Sequence, residues 1–283
     1  MQDPIFEEYH IDKTEFWKEV NALPAKYAEE GIRVNGDTIY LNQFINETRK
    51  GTFKGLNNEK LRGFGQKQKY YPGVPDIFKN LKAVVENNPR YQEYNIKVEH
   101  YIVSTGMLAI IKGSAVMPYV EAIWGCEFIE DVDENQQKVI SEIGYTIDNT
   151  TKTRALFEIN KGVPQRPDID VNAKMSDAYR RVAFPNMIYI ADGPSDVPAF
   201  SVINKFGGAT FAIYPKGNDT AFQQVNQLRE DGRIDMYAEA DYREGTTAYM
   251  WLTHKVDEMA RRIYFAEKES LEGAISSAPK HLV

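Results

Sequence analysis

Three short segments of the chain end in side chains suited to bind phosphate or a divalent cation. In the most specific one, the apolar stretch Met187–Ala191 is followed at once by Asp-Gly-Pro-Ser-Asp. Asp192 and Asp196 are therefore expected to lie near one point where a strand ends. Mg²⁺ takes one or two protein carboxylates together with waters and phosphate oxygens, so the segment predicts a Mg²⁺ site. The alternative is an Asp- and Gly-rich turn that binds no metal.

The second segment is an apolar stretch that ends in two hydroxyl side chains and a glycine. Ser104, Thr105 and Gly106 follow Tyr-Ile-Val directly. The Ser104 hydroxyl and the next backbone N–H groups are suited to donate hydrogen bonds to a phosphoryl oxygen. The alternative is a strand-to-helix turn in which Ser or Thr caps a helix, and for this segment alone it is the more common arrangement.

The third segment places a lysine in the first turn of a predicted helix. Lys152 follows Asn149-Thr150-Thr151, and the helix is expected over 152–161. The helix macrodipole disfavours a cation there, so a compensating anion is expected, such as a phosphate together with a carboxylate. The alternative is a lysine that extends its ammonium group into water.

The first part of the chain is predicted to be helical. Apolar residues recur at helical spacing over 14–28 and 39–48, with Asp12 or Thr14 capping the first helix and Asp37 capping the second. A third, shorter helix is expected after Asn57 or Asn58. These helices predict a small helical domain over residues 5–72, without a strand of its own.

After Tyr70-Tyr71-Pro72-Gly73, short apolar stretches alternate with helical patterns. This alternation indicates βαβ units, hence an α/β fold with a parallel sheet covered by helices, over 73–283. In such sheets ligands bind where the strands end, which is where the three segments fall. The expected strands are 98–104, 122–129, 187–191, 210–214 and 234–238, and the expected helices are 76–86, 152–161, 219–230 and 246–267.

Composition narrows the classes of partner. The 283 residues are 42% hydrophobic and carry a net charge of -7, which disfavours general affinity for nucleic acids or anionic membranes. No apolar run approaches the roughly 20 residues of a membrane-spanning helix, and the first residues lack the pattern of a signal peptide. The single cysteine, Cys126, cannot form an internal disulfide, so a reducing, cytoplasmic setting is expected.

The chain lacks the sequence patterns that are typical of two other enzyme classes. Neither GxGxxG nor GxxxxGK[ST] follows a predicted strand, which argues against a Rossmann or P-loop nucleotide site. The GxSxG pattern of serine hydrolases is also absent from the 283 residues.

The order of the three segments resembles motifs two, three and four of haloacid dehalogenase-type phosphatases, with most similarity to the phosphoserine phosphatase-like branch. The resemblance covers about residues 5 to 250. It implies a three-layer Rossmannoid parallel sheet with a small helical cap, and a Mg²⁺-dependent phosphatase acting on a small phosphorylated metabolite. Ser104, Thr105 and Gly106 would hold the phosphoryl group, and Lys152 would neutralise its charge. Asp192 would ligate Mg²⁺ directly, and Asp196 would ligate it through water or orient Asp192 and Lys152.

The first motif of that family, Asp-x-Asp-x-Thr after a buried strand, is not found before Ser104. Its first aspartate attacks phosphorus. Asp168-Ile169-Asp170 follows a loop-like stretch and is interpreted as a decoy, and Asp148 is interpreted as a cap of the Lys152 helix. Either upstream residues are missing or the nucleophile has been lost; the three intact motifs favour the first. We expect these 283 residues to have little or no phosphatase activity, the alternative function being non-catalytic binding of a phosphorylated ligand or a protein.

Basic residues in the helical domain have two interpretations. They could face a second anionic group of the substrate, or they could be solvated surface charges, which is more common. These residues are Arg33, Lys54, Arg62, Lys67 and Lys69.

Overall fold

A computed structural model describes the backbone through residue 276 and the side chains through residue 273, so 277–283 lie outside the described residues. The chain forms two compact units, each assembled from segments that are separate in sequence. The first unit contains Met1–Lys69, Tyr101–Ala183 and Pro194–Val202, and the second contains Tyr70–His100, Phe184–Gly193 and the chain from Ile203 onward. The predicted division into 5–72 and 73–283 stays a prediction.

Helices open the first unit, as expected from their apolar periodicity. Asp12 caps the second of them, since its carboxylate accepts the backbone N–H of Thr14 at 2.8 Å and of Glu15 at 3.3 Å. Asn57 caps the fourth by accepting the Lys60 N–H at 2.8 Å. Both caps confirm the sequence-based prediction. The helices are α1 (Asp3–Tyr9), α2 (Lys13–Glu29), α3 (Ile39–Arg49) and α4 (Asn58–Gly65).

A three-stranded sheet of order β1-β2-β3 completes the first unit. β1 (Tyr101–Met107) is parallel to β2 (Ala122–Val132), whereas β3 (Lys138–Tyr145) is antiparallel to β2. The sequence analysis missed β3, and the expectation of a purely parallel sheet is wrong for this hairpin. Its turn is held by Asp133, whose carboxylate accepts two backbone N–H groups. The remaining helices of this part are α7 (Leu108–Lys112) and α8 (Thr151–Lys161).

Aromatic side chains form the centre of the first unit's core. Phe44 and Phe53 are fully buried and stack with ring centroids 5.1 Å apart, and Phe16 packs 4.9 Å from Phe44. Phe128 of β2 and Ile140 of β3 belong to the same buried cluster. One face of the sheet is therefore covered by the N-terminal helices, which fixes the register of the strands.

The second unit has a parallel three-stranded sheet of order β4-β5-β6. The central strand is almost wholly buried, as expected for a parallel strand covered on both faces. The last helix, predicted over residues 246–267, extends to Ser276. The elements are α5 (Asp76–Glu86), α6 (Pro89–Glu93), β4 (Ile188–Ala191), β5 (Ala209–Tyr214), α10 (Asp219–Glu230), β6 (Met236–Glu239) and α11 (Thr247–Ser276), and the boundary between units falls within α9 (Val197–Lys205).

These elements make the chain an α/β protein, as predicted. Among the helices of the described residues, none combines the length and the apolar character needed to cross a membrane.

Candidate functional site

Lys152 lies at the second position of α8 and is buried, with a side chain 6% exposed. Its Nζ lies 2.7 Å from Oδ1 of Asp196, whose side chain is 5% exposed. The alternative of a solvated lysine is therefore wrong. A buried ammonium group in the first turn of a helix is unfavourable without a counter-charge, and Asp196 supplies one.

Asp196 ends a short 3₁₀ turn, Pro194–Asp196, that leads into α9. Its second carboxylate oxygen accepts a hydrogen bond from the Ser195 hydroxyl at 3.1 Å. Both oxygens thus have a donor inside the first unit, which is what a buried carboxylate requires. The structure brings together two of the predicted site residues that are 44 positions apart in the chain.

The turn before α8 is organised by Asp148. One of its carboxylate oxygens accepts the backbone N–H of Thr151 at 2.7 Å and of Thr150 at 3.0 Å. The hydrogen bond from the Thr151 backbone is the main reason why the pKa of Asp148 lies below its usual range; burial opposes it, and the Thr151 hydroxyl and Asn35 lower the pKa further. The Asp148 carbonyl accepts the N–H of Lys152 at 3.0 Å. Asp148 therefore holds the turn before the helix, and with it the position of Lys152. The predicted role of Asp148 as the helix cap is wrong, because the cap position is Thr150, which makes no side-chain capping bond.

The connection between α2 and α3, residues 30–38, is bonded to this turn; we call the two hydrogen bonds the clasp. Asn35 Nδ2 donates to Asp148 Oδ2 at 2.9 Å, and the backbone N–H of Asn149 donates to Asp37 Oδ2 at 3.1 Å. The prediction that Asp37 caps α3 is wrong: the cap position is Thr38, which makes no side-chain capping bond. The Asp37 carboxylate instead accepts from the turn that leads to Lys152.

Ser104, Thr105 and Gly106 form a bulge in β1. Val103 pairs with Trp124 and Met107 with Cys126, so three residues of β1 lie opposite one residue of β2. The prediction that the strand ends at Ser104 is wrong, because β1 resumes its pairing at Met107. The helix-cap alternative is also wrong, since α7 begins after Met107 without a side-chain cap. An interrupted ladder leaves backbone groups available for other partners, which is common next to binding sites.

The bulge has its own hydrogen bonds. The Ser104 Oγ accepts the Gly106 N–H at 3.0 Å, which leaves the hydroxyl proton able to donate. The Thr105 carbonyl accepts the Tyr40 hydroxyl at 2.6 Å and the Cys126 thiol at 3.3 Å. These bonds hold the bulge in one conformation.

Sequence reasoning missed Tyr40 and Cys126 as supports of the bulge. Burial is the main cause that raises the pKa of the Tyr40 phenol and of the Cys126 thiol, so both groups are protonated donors at neutral pH. Tyr40 is 65 residues from Thr105 in the chain, and no local pattern connects them. From the sequence alone, a tyrosine on the apolar face of a helix is predicted to be an ordinary core residue.

Asp192 belongs to the second unit. It follows β4 directly, and its side chain is exposed. Burial raises the pKa of Tyr71 and of Tyr242, and the negative charge of Asp192 raises both further. The Tyr242 N–H donates to the Pro72 carbonyl at 2.8 Å, so both tyrosines are held on joined segments. Asp192 is therefore a carboxylate in an aromatic and hydroxyl-bearing environment.

Oxygen ligands are present, but no multidentate protein cage is formed in the part of the chain that is described. Within it, His, Cys, Asp and Glu side chains form no group of three or more that could hold a metal ion. Asp192 in the second unit and Asp196 in the first unit each offer a carboxylate, the ligand type that Mg²⁺ takes once or twice together with water and phosphate. Asp168 and Asp170 lie in an irregular segment after α8, as the loop-like stretch before them indicated.

Acid is expected to abolish the contribution of Asp148 to stability. Because its folded-state pKa is lowered, that contribution is complete above the unfolded value of about 4 and is lost as the pH falls through the folded value. Asp148→Asn should therefore be less stable than the wild type at pH 7, and the difference should shrink below about pH 4. Urea unfolding of both proteins between pH 7 and pH 3 measures it. A difference that stays constant or grows in acid would contradict the assignment.

Comparison with known proteins finds a relative that is similar over most of the chain. A Borreliella burgdorferi protein, described as an uncharacterized protein, is 34% identical over 270 residues, which cover 90% of this chain and 91% of that protein. No family model matches the chain. No solved structure matches it either.

Proposed function

The chain belongs to one family with the uncharacterized Borreliella burgdorferi protein, and we propose that it binds a small phosphate monoester together with Mg²⁺, as a phosphohydrolase of the haloacid dehalogenase type. The proposal includes a three-layer Rossmannoid arrangement of the α/β core and a cap role for the N-terminal helices. The description of that protein names no activity. The support comes from the chemistry of the residues.

The observation that carries the proposal is the buried Lys152–Asp196 ion pair at the start of α8. Such a pair is often no more stable than packed apolar residues, so its presence favours a role beyond stability. A phosphoryl group in transfer bears spread negative charge and requires neutralisation and positioning. A lysine held by a carboxylate in one place supplies both.

The Ser104 bulge supports the same proposal. It lies in the same unit as Lys152, and α8 packs against β1. The Ser104 hydroxyl proton is able to donate to a phosphoryl oxygen. Thr105 and Gly106 are proposed to line the phosphate where the ladder is interrupted, although the Gly106 N–H already donates to Ser104 Oγ and the Thr105 carbonyl already accepts from Tyr40 and Cys126. Asp196 orients Lys152 through their 2.7 Å contact.

Mg²⁺ is the cofactor that the donor set fits, with Asp192 proposed as the direct ligand and Asp196 as a ligand through water. A bound Mg²⁺ would neutralise charge on the phosphate oxygens. The carboxylates of Asp192 and Asp196, which are four positions apart in the sequence, supply the oxygen ligands. Ser104 would donate a hydrogen bond to the phosphoryl group, and Lys152 would neutralise its charge.

A second function is favoured by one sequence observation. No Asp-x-Asp precedes Ser104, so the carboxylate that would attack phosphorus is not provided by that pattern. These 283 residues are then expected to bind the phosphate ligand with little or no turnover. A non-catalytic phospho-ligand or protein-binding module is the corresponding alternative.

Calorimetric titration with inorganic phosphate, with and without MgCl₂, tests the proposal. The wild type should bind phosphate more tightly with Mg²⁺, and Lys152→Met should weaken binding roughly tenfold to a hundredfold, because a charge-assisted hydrogen bond is lost. Lys112→Met, at an exposed lysine of the same unit, is the matched control and should bind like the wild type. Absence of phosphate binding by the wild type, or equal binding by Lys152→Met, would refute the proposal.

A further inference from the structure

The β2–β3 hairpin has a solvent-exposed face on which carboxylates and apolar side chains alternate. We propose that this face docks a cationic amphipathic helix of another protein. The surface belongs to the first unit, and the proposal does not depend on the phosphate site. The hairpin face consists of six side chains: Glu127, Ile129 and Asp131 of β2, and Val139, Glu142 and Tyr145 of β3.

Strand pairing places these six side chains on the same side of the sheet. Residues that pair directly across two antiparallel strands share a face, and so do alternate residues of one strand. Cys126 and Phe128, which alternate with them in β2, are buried in the core on the other side. Each cross-strand pair combines one carboxylate with one apolar side chain: Glu127 with Tyr145, Ile129 with Glu142, and Asp131 with Val139.

The apolar side chains of the hairpin face are open to solvent. Ile129 is 51% exposed and Tyr145 is 42% exposed, and Val139 is partly exposed. Exposed apolar side chains that lie together and are bordered by polar groups are typical of surfaces that contact another protein. The partner is therefore expected to bring apolar side chains of its own.

The outer edge of β3 is already bonded near the hairpin turn. The Ile140 N–H donates to the Leu56 carbonyl at 2.9 Å, and the Lys138 carbonyl accepts from the Asn57 amide at 3.2 Å. A strand added at this edge would have to displace these bonds, so binding by strand addition is disfavoured. A helix that packs on the face of a sheet is a common arrangement and leaves the edge intact.

The charge of the hairpin determines the sign of the partner. Residues 122–145 contain six carboxylates and one lysine, a net charge of -5, while the whole chain carries -7. The lysine Nζ lies 3.9 Å from Glu130. Among residues 1–273, Glu127, Asp131 and Glu142 form no ion pair. A second copy of the hairpin face would be repelled, whereas lysine or arginine beside an apolar stripe is complementary to it.

Fluorescence anisotropy of a labelled synthetic peptide, titrated with the full chain, tests the proposal. The peptide is about 15 residues long, with leucine at helical spacing and lysine at the other positions. The wild type should bind it about tenfold more tightly than a peptide of equal charge in which serine replaces leucine. Ile129→Ser and the double variant Glu127→Gln/Glu142→Gln should each weaken binding of the leucine peptide about tenfold.

Matched variants of the same unit control for general effects. Ile32→Ser changes an isoleucine that is 49% exposed, and Glu29→Gln/Glu30→Gln removes two exposed carboxylates; both should bind like the wild type. Equal binding of the two peptides would indicate charge attraction alone and would overturn the proposal. So would equal affinities of Ile129→Ser and Ile32→Ser. Self-association of the wild type that Ile129→Ser abolishes, measured by sedimentation velocity, would identify a second copy as the occupant and would also overturn it.

Discussion

Replacing Lys152 by Met is expected to lower the free energy of unfolding by about 3–5 kcal/mol, because it leaves the buried Asp196 carboxylate without its counter-charge. The Lys152 Nζ lies 2.7 Å from that carboxylate, and both side chains are almost fully buried. The methionine side chain has a volume similar to that of lysine. The change in the free energy of unfolding therefore reports mainly the lost charge and not a cavity. Urea unfolding at pH 7 in phosphate-free buffer measures the change.

Two further variants separate the pair from a general effect of lysine substitution. Lys18→Met removes an exposed ion pair with Glu15, with side chains 73% and 62% exposed, and should change stability by less than about 1 kcal/mol. The double variant Lys152→Met/Asp196→Leu removes both buried charges and should recover much of the loss. A loss below about 1 kcal/mol in Lys152→Met, or a double variant no more stable than Lys152→Met, would argue against a tightly coupled buried pair.

Replacing Gly65 by Ala is expected to destabilise the first unit by about 3 kcal/mol. A Cβ atom at Gly65 would lie 2.2 Å from the Ile110 carbonyl oxygen and 2.7 Å from the Gly113 Cα. A Cβ at Gly113 would in turn lie 1.8 Å from the Arg62 carbonyl oxygen. Since these neighbours are backbone atoms, α4 and α7 must move apart to accommodate the methyl group.

Gly63 is the matched control for Gly65 in the same helix. A Cβ there would meet no atom within 4 Å. Gly63→Ala should raise stability by about 0.5–1 kcal/mol, because alanine loses less backbone entropy on folding than glycine. Thermal and urea unfolding of both variants give the comparison. If Gly63→Ala and Gly65→Ala have effects of the same sign and size, the close contact of α4 with α7 is not as described.

Local signals in the sequence predicted most of the helices. Asp12 and Asn57 cap α2 and α4 as their positions next to an apolar period indicated, and α5 has the predicted bounds, Asp76–Glu86. Caps and periodicity act within a few residues, so a single sequence contains them. The antiparallel β3 was missed because its pairing with β2 is a tertiary property of an exposed hairpin with weak alternation.

The site was predictable only in part for the same reason. Lys152 and Asp196 were identified because each has a local signature, a helix start and a strand end, and the structure joins them. The clasp through Asn35 and Asp37 connects residues more than 110 positions apart, and no local pattern contains it. Asp37 was predicted to be a helix cap because the sequence shows the nearest helix and not the distant backbone N–H that its carboxylate accepts.

The proposed function requires that the Ser104 bulge and the start of α8 form one phosphate site. Backbone amide NMR of the deuterated, ¹⁵N-labelled chain during titration with inorganic phosphate and MgCl₂ tests it most directly. The largest shifts should fall on Thr105, Gly106, Thr151 and Lys152, and they should disappear in Lys152→Met. Shifts confined to other regions, or no shifts at saturating phosphate, would contradict the claim.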